Sequence, residues 1–489
     1  MKLLLRFAIF CHRWMGVAFC LLFLWWFVSG IFMMYWDFPA VRAQDRLAHA
    51  QPIDGSQVKV SPEAAAAALK LKRPAGQVHL AMFDGRPVYQ FRAGRGQSLV
   101  FADTGDAQTQ FPPEMNLRTA AAWSGLPGTL AKVERSTEPD QWTVQGNFRA
   151  QRPMQKYSWP DGQQVYISEA SGEVVQYTTR SSRFFAYLGA IPHWLYFTPL
   201  RTNQPLWSQV VIWSSGLATV AALLGLLVGL CMYSPSQKYR FEGEPSGIPY
   251  RGQKRLHTIL GLFFGVVACT WAFSGMMSMD PFPSKQPRAE RRGGKIPDAL
   301  RAGSPRLAEF AAKGPVEALR AASSLTVKDL EFTAFDGKAL YLASGAGQQV
   351  IVPVDGNPAS AVSRERLLEI VHTNAPAAGI AAVSELTAYD AYYLDRTRER
   401  ILPVLRVSLN DGDHTRYYID PRLGRIVGTY SSREWSERWL YHGLHSLNFP
   451  WLYNYRPLWD VVVLGLMLAG CWLCVTSVIL GWQVLARKV

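Results

Sequence analysis

Four stretches of the chain stay apolar for long enough to cross a bilayer, which takes about 20 helical residues. They are roughly 3–36, 206–233, 257–279 and 458–485. Trp and Tyr crowd their ends, as side chains anchored at a membrane interface do. Two long polar stretches, 37–204 and 280–456, separate them and break into short strand-like runs. Asp-Gly at 84–85 and 161–162, and again at 336–337 and 411–412, predicts β-hairpins. Ser61-Pro62-Glu63 supplies an N-cap, a proline for the first helical position and an acid for the first turn, ahead of an alanine-rich helix. Gly314-Pro315 opens the equivalent helix later in the chain. Gly-x-Gly-Gln at 94–97 and 345–348 reads as a hairpin turn; no third glycine or following helix supports a dinucleotide site.

The chain is one unit written twice. The first span carries His12, Gly16 and Ser29-Gly30; the third carries His257, Gly261 and Ser274-Gly275 at the same spacings. "FDGRPVY" at 83–89 answers "FDGKALY" at 335–341, and "YISEASG" at 166–172 answers "YIDPRLG" at 418–424. His193 and His445 also stand 252 residues apart, each followed twelve residues later by Pro-Leu-Trp and a hydrophobic span. Each copy holds two spans, an even number, so the second enters the membrane the same way up as the first. Parallel repeats of this kind are related by an axis along the membrane normal.

Composition agrees with this layout: 49% apolar and 18% charged residues suit a membrane protein with substantial soluble parts. Lys2, Arg6 and Arg13, then Lys238, Arg240, Arg251, Lys254 and Arg255, then Arg487 and Lys488 flank the short loops and termini. The positive-inside rule puts them in the cytoplasm and the long polar stretches outside. Lys285, Arg288, Arg291, Arg292 and Lys295 run against that rule, but long translocated domains override such charges; the run reads as a solvated linker. The first span is far longer than a signal's apolar core and reads as an uncleaved anchor. All six cysteines fall in or beside spans, so no disulfide framework holds the soluble parts; Cys471 and Cys474 read as small packing residues. The predicted parts are a first transmembrane helix (1–36), a soluble region (37–180), an interfacial and second transmembrane helix (181–235), a cytoplasmic loop (236–256), a third transmembrane helix (257–279), a second soluble region (280–430), and an interfacial and fourth transmembrane helix (431–489).

The doubled histidines are the candidate chemistry. A pseudo-twofold axis sets His12 opposite His257 near one face of the membrane and His193 opposite His445 near the other. Two imidazoles on opposite sides of a site, with no carboxylate or cysteine at matching positions, suit a haem iron with two axial ligands. Zinc is less apt, since it usually takes four tetrahedral ligands. Gly16 and Gly30, and Gly261 and Gly275, fall on the histidine faces of their helices and leave room for a flat porphyrin. From His12 to Gly30 a helix rises about 27 Å at roughly 1.5 Å per residue, so two haems would stack across the bilayer as an electron conduit. His442 lies three residues before His445 and has no counterpart, position 190 being alanine; it reads as a neighbour of the site or of a substrate. His79, His372 and His414 read as ordinary residues of the soluble regions. Trp14, Trp194 and Trp207 read as interfacial anchors rather than cofactor-lining residues.

"HRWMG" and "HTILG" at the span openings, the "FDG…Y" and "YIDPRLGRIV" strands and "LHSLNF…PLW" resemble the PepSY-associated transmembrane family of bacteria, over nearly the whole chain. Within it the chain is similar to inner-membrane reductases of iron–siderophore complexes. The resemblance implies four transmembrane helices in two parallel repeats with α+β periplasmic domains, and two b-type haems with His12, His193, His257 and His445 as axial-ligand candidates. It implies membrane lipid, a ferric siderophore or other Fe(III) chelate, and an electron donor as partners, and no nucleic acid. The expected reaction is one-electron reduction of the chelate and release of Fe(II). No flavin or nicotinamide motif is present, so quinol or a cytoplasmic reductase must supply electrons. The rival readings are a membrane-anchored regulator that binds a periplasmic protein, and a transporter; against the latter, no Pro-broken helix pair sits at the span centres.

Overall fold

The computed structural model describes residues 2–70, 74–93, 96–282, 295–300, 305–395 and 397–486. The predicted basic run at 285–292 and the turn at Gly94 lie outside them. The chain divides into a helical unit (Met1–Phe38, Ser181–Lys285, Arg433–Val489) and a sheet unit (Pro39–Arg180, Gln286–Ser432).

Four helices build the first unit: α1 (Lys2–Met33), α2 (Gln204–Met232), α3 (Gly252–Met277) and α4 (Leu458–Ala486). All four are long and apolar enough to cross a membrane. Leu21, Trp213, Phe263 and Trp482 point outward, as lipid-facing side chains do. Each of α1 and α3 packs on both α2 and α4, so the bundle closes as a ring with α1 facing α3 across the diagonal. Small residues let the helices approach: Phe27 of α1 lies on Gly470 of α4, where an added Cβ would come within 2.1 Å of its ring. Helix α3 starts five residues earlier than its apolar pattern does, because Gln253, Lys254 and Arg255 are good helix formers. Asp460 is the one acidic residue in these helices, ion-paired with Arg456. A short hairpin, Tyr239–Phe241 with Glu244–Ser246, joins α2 to α3.

The two polar stretches do not fold as separate domains. Strands β1 (Gln77–Phe83), β2 (Arg86–Ala93), β3 (Gly96–Phe101), β4 (Ala107–Gln108), β5 (Asp329–Phe335), β6 (Lys338–Gly345) and β7 (Gln348–Pro353) form one antiparallel sheet. Its order is β7-β6-β5-β1-β2-β3-β4. At the seam, Val78 pairs with Phe332 and Leu80 with Leu330; a shift of 252 residues exchanges the two pairs. Val78, Leu80, Tyr89 and Phe91 share one core with Leu330, Phe332 and Tyr341. At the seam His79 Nδ1 lies 3.1 Å from both carboxylate oxygens of Asp329. Two of the four Asp-Gly pairs turn as their chemistry dictates, with positive φ at Asp84 (51°) and Gly85 (77°), and at Asp336 (54°) and Gly337 (72°); at 161–162 only the glycine has positive φ (94°), and at 411–412 neither residue does.

Each half adds a four-stranded sheet, Lys132–Ser136 to Val174–Thr178 and Ile380–Leu386 to Arg425–Tyr430, covered by helices Pro113–Ser124 and Arg364–Thr373 respectively. Arg118 and Arg366 of those helices hold Asp84 and Asp336, the two hairpin tips. A carboxylate, tyrosine and cation recur in each: Asp140 with Tyr166 and Lys156, Asp390 with Tyr418 and Arg406.

Candidate functional site

Helices α1 and α3 each carry one histidine into the bundle. The His12 and His257 rings lie 6.2 Å apart, centroid to centroid, inclined by 29°. His12 Nδ1 is 3.0 Å from the carbonyl oxygen of Ala221 in α2. A carbonyl only accepts, so Nδ1 carries the proton of the neutral ring and Nε2 presents a lone pair. His257 Nδ1 is 3.0 Å from Thr476 Oγ1 and 3.4 Å from Ser477 Oγ in α4. Both hydroxyls donate to the Leu473 carbonyl, at 2.6 and 3.0 Å, which leaves their oxygens to accept from Nδ1–H. Leu473, itself a backbone partner of this ring, stands 252 residues after Ala221, so both histidines address the same place in the repeat. Gly225 makes this fit possible: an added Cβ would come within 2.4 Å of His12 Cε1.

His193 and His445 sit on short helical segments, Ala190–Trp194 and Leu444–Ser446, ahead of α2 and α4. Their rings are 5.8 Å apart at 67°. His193 Nδ1 lies 3.1 Å from Ser29 Oγ and 3.2 Å from the Trp26 carbonyl of α1. His445 Nδ1 lies 3.0 Å from Ser274 Oγ of α3, with the Trp271 carbonyl as its backbone partner. Ser29 and Ser274 are fully buried, and each donates to the carbonyl three residues back. Nδ1–H is therefore again the donor and Nε2 the lone pair. This accounts for the doubled serine, which fixes the tautomer, while the glycine beside it lies against the ring at ordinary contact distance. A Cβ on Gly30 would stand 3.5 Å from His193 Cε1, and one on Gly275 3.9 Å from His445 Cε1. At Gly16 and Gly261 a Cβ would meet nothing within 4 Å, so these two line open space rather than a histidine.

The repeated Pro-Leu-Trp has a physical role that its spacing alone did not reveal. Trp207 Nε1 donates to the Trp194 carbonyl (2.8 Å) and Trp459 Nε1 to the Ser446 carbonyl (3.0 Å). Each carbonyl belongs to the residue after a histidine, and each loop then turns through a left-handed leucine, Leu195 (φ 52°) and Leu447 (φ 49°). An indole at the head of the following span thus clamps each histidine-bearing loop. Trp14 stands apart, edge-on to Phe10.

His442 does not join the pair. It is exposed beside Tyr441, in a π-helical segment Ser436–Gly443 for which the first half has the ordinary α-helix Arg180–Leu188. The two pairs are separated along α1 by the 17 residues from His12 to Ser29, about 25 Å of helix.

The arrangement fits a metal held from two sides. Bonds of about 2 Å to opposed imidazole nitrogens place ring centroids roughly 6 Å apart, close to both observed spacings. Among the described residues no group of three or more His, Cys, Asp or Glu could hold a bare metal ion. Two ligands per site are what a porphyrin, which supplies the other four donors, requires.

None of the curated proteins compared matches this chain. A family model described as PepSY-associated TM region matches residues 10–484, nearly the whole length, and the chain belongs to that family.

Proposed function

We propose that this protein is a haem-containing electron carrier of a bacterial cytoplasmic membrane that reduces a ferric chelate, such as a ferric siderophore, on the periplasmic side. The observation that supports it best is the state of the four histidines: opposed in two pairs, with every Nδ1 committed to an acceptor and every Nε2 left as a lone pair. Such tethering sets ring orientation and ligand basicity in metal sites. Two b-type haems, one on His12 and His257 and one on His193 and His445, would supply one-electron chemistry through their iron. The chain's own part is to orient the imidazoles, exclude water with the Phe27 and Leu473 core between the pairs, and set the polarity around each site.

The halves are read as parallel repeats about an axis along the membrane normal, supported by the exchange symmetry of the β1–β5 seam and by the matched partners of the histidines. Arg6, Arg13, Lys238 and Arg240 favour a cytoplasmic placement of the termini and the α2–α3 loop. The sheet unit and the His193–His445 pair are then periplasmic. Electrons enter from quinol or a cytoplasmic reductase near His12 and His257. An Fe(III) chelate takes one electron, and the Fe(II) formed is released because hard oxygen ligands hold it less tightly.

Purified protein is expected to be red, with a Soret band that shifts on reduction and returns when a ferric siderophore is mixed in anaerobically. A colourless protein would overturn the reading. A red one that no ferric chelate reoxidises would keep electron transfer and remove the substrate.

A further inference from the structure

The first half of the His193–His445 site holds a buried arginine at a position where the second half has a tyrosine. Arg201 ends the short helix Thr198–Arg201, eight residues after His193, and is 8% exposed. Its guanidinium carbon lies 4.9 Å from the centroid of the Tyr196 ring and 4.5 Å from that of Trp207. Trp207 is the indole that holds the Trp194 carbonyl beside His193, so cation and histidine belong to one clamp. Among the described residues, Arg201 Nε is buried with no hydrogen-bond acceptor. The position 252 residues on is Tyr453, fully buried and neutral. The other buried arginine among the described residues, Arg438, donates from Nη2 to the Asn448 carbonyl at 2.7 Å.

Two aromatic faces offset part of the cost of burying a guanidinium. They leave its buried Nε–H without an acceptor, and a buried cation without a counter-anion is unfavourable. The fork matches a carboxylate in shape and charge. We propose that Arg201 is the carboxylate anchor of the cofactor held by His193 and His445, pairing with a propionate of the porphyrin. This rests on the haem reading above, and deepens it by assigning one half of the repeat to the propionate edge. The same fork would also take a lipid phosphate, and the test separates the two anions.

The experiment uses the full chain with its haems, as wild type, Arg201→Gln and Arg201→Lys, in dodecyl maltoside, which carries no phosphate, and in nanodiscs of phosphatidylglycerol. Spectroelectrochemical titration reads the two haems separately. Removing a cation beside one propionate favours the ferric form. In Arg201→Gln one haem is expected to shift its reduction equilibrium about tenfold toward Fe(III), ~59 mV for one electron, in the phosphate-free detergent as well as in the nanodiscs. The other haem stays put and reports that the protein is folded. Arg201→Lys is expected to keep the wild-type equilibrium within about threefold. Outright loss of one haem from the glutamine variant, with retention in the lysine variant, supports the same anchor. Two unchanged potentials in Arg201→Gln would overturn it while leaving the haems in place. So would a shift seen only with phosphatidylglycerol, which assigns the guanidinium to a headgroup, or loss of haem from both variants, which assigns it to ring packing. A colourless wild type removes the haem reading itself.

Discussion

The two histidine pairs use the same chemistry with the partners exchanged. At the first pair, α1 and α3 supply the imidazoles, and α2 and α4 supply the Ala221 carbonyl and the Thr476 and Ser477 hydroxyls that receive Nδ1–H. At the second, the segments ahead of α2 and α4 supply the imidazoles, and α1 and α3 supply Ser29 and Ser274. The first pair is built into long regular helices; the second hangs on loops held by indoles. A site made from helix interiors has no room where a helix backs onto a ring, as Gly225 does on His12, whereas one made from clamped loops depends on a few hydrogen bonds.

This contrast can be broken most severely at Gly225. A side chain there collides with His12, so Gly225→Val is expected to drop haem content from about two per chain to about one, with the His193–His445 haem unaltered in spectrum and potential. Equal damage to both haems would mean that the helical unit is one cooperative site. Next in size are Trp207→Phe and Trp459→Phe, which keep the ring and remove the N–H. One hydrogen bond contributes about 1 kcal/mol, so haem loss from the second site is expected to quicken roughly fivefold in transfer to apomyoglobin, with no change at the first. Ser29→Ala is milder, because the Trp26 carbonyl still receives Nδ1–H. A change of less than about threefold in haem release is expected, with a shift in the low-spin EPR signal of that haem alone.

The smallest effect concerns a histidine with the opposite kind of partner. Burial lowers the pKa of His79, but its hydrogen bond to Asp329 and the charges of Asp329 and Glu331 outweigh that and raise it above the ordinary value. A raised pKa means that the stabilisation is fully present below the unfolded value of about 6.5 and is lost as pH rises through the folded value. The sheet unit is therefore expected to lose stability across that window, and His79→Gln to flatten the dependence in thermal unfolding of the intact protein. A buried imidazole facing a carbonyl donates Nδ1–H and keeps a lone pair on Nε2; at the seam, a carboxylate partner instead favours the charged form of His79 and links two strands.

The sequence made the four spans legible because twenty apolar residues in a row have few other uses. The hairpins were legible because Asp-Gly favours the φ values that Asp84 and Asp336 adopt. The histidine pairs could be read because duplication wrote each twice at fixed spacing. What escaped is everything set by packing between distant segments. Nothing in "QVHLAMF" states that it pairs with "DLEFTAF" more than 240 residues away, so the seven-stranded sheet shared by the two soluble regions is not legible in the sequence. Gly225 is one of several glycines in an apolar run, and only the position of His12 singles it out. The serines beside Gly30 and Gly275 were visible as a repeated spacing, but their bond to a histidine some 170 residues later exists only in the folded bundle.

The most direct measurement is a pyridine haemochrome count per chain for the wild type and for His12→Ala and His445→Ala. Two haems in the wild type and one in each variant, lost from different sites, are the outcome predicted here. Unchanged haem in both variants, or none in the wild type, would contradict the claim that opposed imidazoles clamp a porphyrin at each end of the bundle.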